Sequence, residues 1–399
     1  MTASNSCKIQ IPNDSVSMKP IKKFVSLLLI LLMGASPVTA GVKNPDTFIL
    51  ATYGTLRTLD PAACYDTTGG QRILNIYEPL IFYDESKTDV FVPVLAARVP
   101  SLENGGISAD GTLYSFTIRK GVKFHNGADL TPGDVVYSLK RNMIADPDGG
   151  PMWMLLEAVT AKNSTRDKNG KIRPNIFKMI DTAISAEGDR VIIRLPRPYP
   201  PLLGILANSC AVVLDRDWAI ANGAWDGRIE NAAKYNNPAP GHEPLLKVAN
   251  GTGAFRFKSW EPSKQFVFER FDKYWGARPL LKRAIVKYVK EWSTRKLMLQ
   301  NGDADRVTVD IPYVPEVKAM PGLKIYKVPQ LSVSFALFCQ KIDPTGNPNI
   351  GSGRLDGNGI PPDLQIDHTI GSVADVVGRD DVLVLDEATT PHAELMFPD

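Results

Sequence analysis

The chain has 399 residues, of which 44% are apolar, with 46 Lys and Arg against 43 Asp and Glu. That length exceeds one ordinary hydrophobic core, so two or more lobes are expected. The near-balanced charge excludes the broad basic surface of a nucleic-acid binder, and 31 Gly with 31 Pro fit a mixed α/β chain of many short elements.

The first element is a leader. Lys19, Lys22 and Lys23 precede the apolar run Phe24 to Met33, and Val38-Thr39-Ala40 follows before Gly41. A basic start, a short greasy core and a small-x-small exit are the parts of a secretory signal peptide, here residues 18–40, with cleavage expected after Ala40. The run breaks at Gly34 and Pro37, short of the roughly 20 residues that a spanning helix needs. No cysteine stands directly after the cleavage point, so no lipid-anchored mature end is expected, and in a host with two membranes the product is expected to be periplasmic. Residues 1–17 precede a more natural start at Met18. Four Lys and one Asp fall in residues 1–40, which leaves the remainder neutral.

Phe48 to Thr52 is a short extended run, and Gln71 to Leu80 has apolar residues at helical spacing. Asp110-Gly111 signals a hairpin, after which Tyr114, Phe116 and Ile118 alternate with polar residues as in a strand with one buried face. Thr131-Pro132-Gly133-Asp134 offers a helix cap, a proline at the first helical position and a carboxylate at the third. Val135, Val136, Leu139 and Met143 then form one apolar face. A strand is expected over Val191 to Leu195, a two-strand meander over Gly253 to Trp260 and Gln265 to Phe271 around Glu261-Pro262-Ser263, and a short helix over Thr294 to Asn301 ended by Gly302. Val307 to Ile311 and Leu331 to Phe338 read as strands, and Asp343 to Pro362 as loop. From Leu364 to Asp399 there are eight acidic residues and one Arg, a tail unlike the rest of the chain.

Few residues point to chemistry. The chain lacks a G-x-x-x-x-G-K loop, a G-x-S-x-G elbow and an H-E-x-x-H pair. The histidines, 125, 242, 368 and 392, stand singly; His125 in Phe124-His125-Asn126-Gly127 reads as a turn histidine bonded to nearby backbone, and no metal site is expected. Asp215-x-Asp217 and Asp356-Gly357-Asn358-Gly359 resemble calcium loops only faintly and read as turns. Without Cys7, lost with the leader, Cys64, Cys210 and Cys339 remain, an odd number that permits one bridge whose pairing the sequence does not give. Tyr65, Trp153, Trp218, Trp225, Trp260, Trp275 and Trp292 are candidates either for the wall of a ligand cleft or for core.

Three passages carry a resemblance to a known family. Gly111–Arg141, GTLYSFTIRKGVKFHNGADLTPGDVVYSLKR, resembles the signature of the extracellular solute-binding proteins of family 5, the peptide and nickel receptors of ABC importers. Gly251–Gly276, GTGAFRFKSWEPSKQFVFERFDKYWG, and Thr294–Asp305, TRKLMLQNGDAD, are similar to its second and third motifs, and LDPAACYD at Leu59–Asp66 and YEPLIFYD at Tyr77–Asp84 agree, so the likeness spans about residues 46–363. The resemblance implies an α/β fold, the two-lobed periplasmic-binding-protein clamp of type II, cluster C, with an accessory subdomain. Lobe I would comprise 41–85 and 200–290, the accessory subdomain 86–199, and lobe II 291–363. The resemblance also implies an extended peptide ligand held through its backbone, ABC permease subunits in the inner membrane as partners, a monomer, no cofactor and no catalysed reaction. By position it assigns to the ligand Cys64, Tyr65, Asp66, Thr67 and Thr68 on one loop, Met152 and Trp153 on another, and Ser332, Ser334 and Phe335 on a lobe II strand.

One departure stands out. After Ile360-Pro361-Pro362-Asp363 the family continues with an Arg-x-Ala-x-x-x-Ala helix and most of lobe II, which this sequence does not match, so an incomplete second lobe and a C-terminal truncation by frameshift are expected. A receptor for a nickel chelate, heme or an oligosaccharide, a secreted hydrolase and an inactive truncated product are the alternatives.

Overall fold

The structure, a computed structural model, describes residues 43–85 and 87–326. The expected leader, the strand Leu331–Phe338 with Ser332, Ser334 and Phe335, Cys339, and the tail 364–399 lie outside the described residues.

Strand β1 (Thr47–Thr52) occupies the position next to the edge of a five-stranded sheet ordered β10-β1-β9-β8-β7, with β7 Phe255–Glu261, β8 Gln265–Arg270, β9 Arg283–Tyr288 and β10 Arg306–Val307. It runs parallel to both neighbours, with Thr47 opposite Arg283 and Ala51 opposite Val307. Its alternation decides its packing, because successive side chains leave opposite faces. Ile49 and Ala51 enter a core with Ala304 and Val307, against which Trp292, Met298 and Leu299 of helix α7 (Trp292–Gln300) pack. Phe48 and Leu50 face a second core built from Ile73, Ile76, Phe255, Phe266 and Phe268. The meander forms as expected: β7 and β8 pair antiparallel, and Ser263 takes a left-handed φ of 57° in the turn.

The longest core lies over a three-stranded antiparallel sheet, β4 (Leu113–Thr117), β6 (Arg190–Arg194) and β5 (Ile184–Glu187), in the order β4-β6-β5. Tyr114, Phe116 and Ile118 are buried as their alternation requires, and Asp110 receives the Thr112 amide in the turn that leads into β4. Helix α2 (Pro132–Ala145) packs on this sheet. The Thr131 hydroxyl accepts from the Asp134 amide, 3.3 Å, and the Asp134 carboxylate accepts from the Thr131 amide, 2.8 Å, so the capping box closes in both directions. Val135, Leu139 and Met143 are wholly buried, each contributing about 1.5–3 kcal/mol, while Val136 is half-buried at the rim. Helices α3 (Trp153–Thr160), α4 (Ile176–Ala183) and α5 (Leu202–Leu206) complete the layer, and short β2 (Ile81–Tyr83) and β3 (Phe91–Pro93) form a separate ribbon.

Two elements differ from the expected ones. Helix α1 spans Thr67–Ile76, earlier than Gln71 to Leu80, because the Asp66 carboxylate caps it by accepting from the Gly69 amide at 2.7 Å. It stops before Tyr77-Glu78-Pro79, where the proline disfavours helix at the preceding residue. The strand expected over Val307 to Ile311 is only Arg306–Val307, since β1 offers register partners only at Leu50 and Ala51, and Pro312 sits in a 3₁₀ turn at Ile311–Tyr313.

Candidate ligand-binding site

The loop that leads into α1 is anchored from beneath. Asp60 and Arg141 of α2 are both buried and form two parallel bonds of 2.5 Å, Nη1 to Oδ1 and Nη2 to Oδ2. Asp60 also accepts the Ala62 amide through Oδ1 and the Ala63 and Cys64 amides through its carbonyl, which coils the loop over one turn. Arg57 donates to the Ala63 carbonyl at 2.6 Å. The loop is therefore held by one charge-paired residue from another segment and shaped by its own backbone.

A second loop lies directly on it. A Cβ on Gly150 would stand 2.9 Å from the Ala62 carbonyl and 2.9 Å from that of Pro147, so only glycine allows this approach. The contact brings together residues far apart in sequence: Trp153 Nε1 donates to the Tyr65 hydroxyl at 3.2 Å. Both rings remain open to solvent, Tyr65 at 52% and Trp153 at 42%. Asp66 and Thr67 are exposed and Thr68 is half-buried. Cys64 and Met152 are instead core residues at 2% and 0% exposure, so their side chains support the loops and do not line a surface. Burial pushes the Cys64 thiol up to about 12 and does the same to Cys210, which leaves both neutral and poor nucleophiles. Both are free thiols.

Thr67 and Thr68 continue into a cavity of about 210 Å³ at the carboxyl ends of β1 and β10, whose other walls are Leu50, Thr52, Gln71, Arg72, Arg306 and Thr308. The Thr308 hydroxyl donates to that of Thr52 at 3.1 Å. Carboxyl ends of parallel strands beside a helix N-terminus are a common ligand position in α/β sheets. A larger cavity, about 310 Å³, lies among Arg141, Trp225, Tyr235 and His242. Sequence reasoning missed Arg72, Arg306, Thr52 and Thr308; an arginine next to the apolar positions Ile73 and Ile76 was the one local signal.

The other motif residues lock the scaffold. Glu78 is buried and accepts from Thr252 Oγ1 at 2.7 Å, the Tyr274 hydroxyl at 2.7 Å and Trp275 Nε1 at 2.9 Å. Burial raises its carboxyl against the pull of those three donors. The Arg119 guanidinium covers the Trp275 ring at 4.4 Å. His125 bonds backbone, as expected, but backbone distant in sequence: Nε2 donates to the Gly253 carbonyl at 2.9 Å and Nδ1 accepts from the Gly251 amide at 3.3 Å. Burial lowers its pKa to about 4, so the ring is neutral. Gly251 is required too, since a Cβ there would meet the Ile76 carbonyl at 2.1 Å. Asp215 receives Asn126 Nδ2 at 2.6 Å and Asn250 Nδ2 at 3.1 Å and caps helix α6 (Arg216–Ala221), a structural use of the Asp215-x-Asp217 turn. Among the described residues no group of His, Cys, Asp or Glu is gathered for a metal ion, and no helix is long and apolar enough to cross a membrane.

The fold is that of a type II periplasmic binding protein. A solved structure similar in fold is a periplasmic binding protein from Helicobacter pylori, DppA, in complex with the peptide STSA; the TM-score is 0.53 at 23% identity, covering 69% of this chain and 49% of that one. Residues 90–350 match the family model of bacterial extracellular solute-binding proteins, family 5 Middle, and the chain belongs to that family. Among curated relatives, the dipeptide-binding protein of Escherichia coli is 24% identical over 79% of this chain and 54% of its own length. The glutathione-binding protein GsiB of Pectobacterium atrosepticum is 27% identical over 68% of this chain and 43% of its own. The chain spans about half the length of the curated relatives it matches.

Proposed function

We propose that this protein is the extracytoplasmic solute receptor of an ABC importer, that its solute is a short peptide, and that it works in the periplasm as a monomer after removal of its leader. It catalyses no reaction. Ligand shifts an open form towards a closed one by binding the closed form better, and the closed form docks on the permease in the inner membrane. The observation that carries this reading is the Tyr65–Trp153 pair, two large rings bonded across 88 residues yet exposed on loops that buried contacts anchor. Exposed, positioned aromatics supply contact area at low entropic cost. Asp66, Thr67 and Thr68 extend the same surface, and relatives named for dipeptide and glutathione binding support a peptide as the solute.

Titration calorimetry with a mixture of free-acid peptides two to five residues long tests it. Saturable binding is expected, weakened by about 1–3 kcal/mol in Trp153→Ala with little change in melting temperature. No saturable heat with any peptide would overturn the peptide reading. A large loss of stability at unchanged affinity would make Trp153 a packing residue.

A further inference from the structure

Among the described residues three arginines are deeply buried, and they differ in one respect. Arg141 pairs with Asp60, and Arg295 donates to the Thr308, Val289 and Lys290 carbonyls and to Asp310. Arg72, 4% exposed on α1, has no such complement. Its Nη1 donates to the Thr68 carbonyl at 2.7 Å, and its Nε has no hydrogen-bond partner among the described residues. Asp66 acts on it through space, while the Asp66 Oδ1 is engaged by the Gly69 amide. A buried cation without a paired anion is costly, and such a charge persists where something else supplies the partner.

The cavity at the ends of β1 and β10 supplies the place. Arg72 and Arg306 both line it, with the hydroxyl residues Thr52, Thr67, Thr68 and Thr308 between them. Thr67 and Thr68 form the first turn of α1, a ten-residue helix whose positive end favours an anion. A guanidinium fork matches a carboxylate with two parallel bonds, and hydroxyls serve as additional donors. At about 210 Å³ the space is smaller than a site for a whole peptide and suits one terminal group.

We propose that this cavity is the carboxylate subsite of the receptor, with Arg72 as the principal binding group and Arg306 as the second. The subsite takes the free carboxylate of the solute, while the Tyr65–Trp153 pair takes its body; this rests on the receptor reading above.

Calorimetry on the full chain with Ala-Ala and Ala-Ala-Ala, each against its C-terminal amide, tests the subsite. The free acids are expected to bind at least about tenfold tighter than the amides. Arg72→Met should close that gap while keeping a cooperative melt; should this variant fail to fold, Arg306→Gln carries the same comparison and should narrow it. Acids and amides binding equally would overturn the subsite and leave the receptor reading standing. If neither set binds, the peptide reading falls and sodium succinate decides the subsite. A rise in melting temperature beyond that in sodium chloride of equal ionic strength, lost in Arg72→Met, upholds it; no such rise overturns it.

Discussion

Asp60→Asn should be the most damaging single isosteric change in the loop that leads into α1. The substitution removes the charge but keeps the shape, so it isolates the ion pair. Arg141 and Asp60 are each about 2% exposed, and the two 2.5 Å bonds leave no room for water to take the place of the carboxylate. Stripping one partner from a buried pair costs about 3–5 kcal/mol, because the remaining charge stays buried. Asn retains an oxygen that can still accept from Arg141 or from the Ala62 amide, so the lower end, about 3 kcal/mol, is expected. For a domain of this size that corresponds to a fall in melting temperature of about 6–12 °C. Arg141→Met on top of Asp60→Asn removes the orphaned cation and should recover much of the loss. Urea unfolding followed by tryptophan fluorescence on the four members of the cycle measures the coupling. Limited proteolysis should show Asp60→Asn cut within residues 57–66 before global unfolding. A loss below about 1 kcal/mol, or a double variant less stable than Asp60→Asn, would refute the view that this pair holds the loop.

Three further outcomes follow from the scaffold. His125 has a folded pKa of about 4 against an ordinary 6.5, so the unfolded chain takes up the proton first as pH falls. Its contribution is intact above pH 6.5 and is lost between 6.5 and 4, about 3 kcal/mol in all; His125→Gln should flatten that part of the stability profile, and parallel profiles would exclude it. Glu78→Ala should cost about 3 kcal/mol or more by leaving Thr252, Tyr274 and Trp275 without their acceptor, whereas Glu78→Gln should cost less; equal denaturation midpoints would show that the network is not coupled. Gly150→Ala should push the two loops apart and break the Trp153–Tyr65 bond, seen as a shift in tryptophan emission and weaker peptide binding with secondary structure unchanged; an unaltered spectrum would count against the close approach.

The strand β4, the capped start of α2 and the meander β7–β8 were legible because their causes are local. Alternation, a Thr131–Asp134 box and a Pro-Ser turn act through neighbours within about four residues, and those neighbours are written side by side. The family motifs were equally legible as strings, yet their roles were not. Glu78, Thr252 and Trp275 are scattered along the chain, and only the folded molecule makes them one hydrogen-bond network. The same holds at the site. Sequence resemblance set Cys64 beside Tyr65 and Met152 beside Trp153 as equals, but tertiary packing buries the first of each pair and exposes the second. Arg72 looks in sequence like one polar residue on a helix; its isolation results from what α1, β1 and β10 do and do not place around it. Pattern within a few residues determines which element forms, whereas desolvation and partnership depend on contacts between segments that the order of residues does not display.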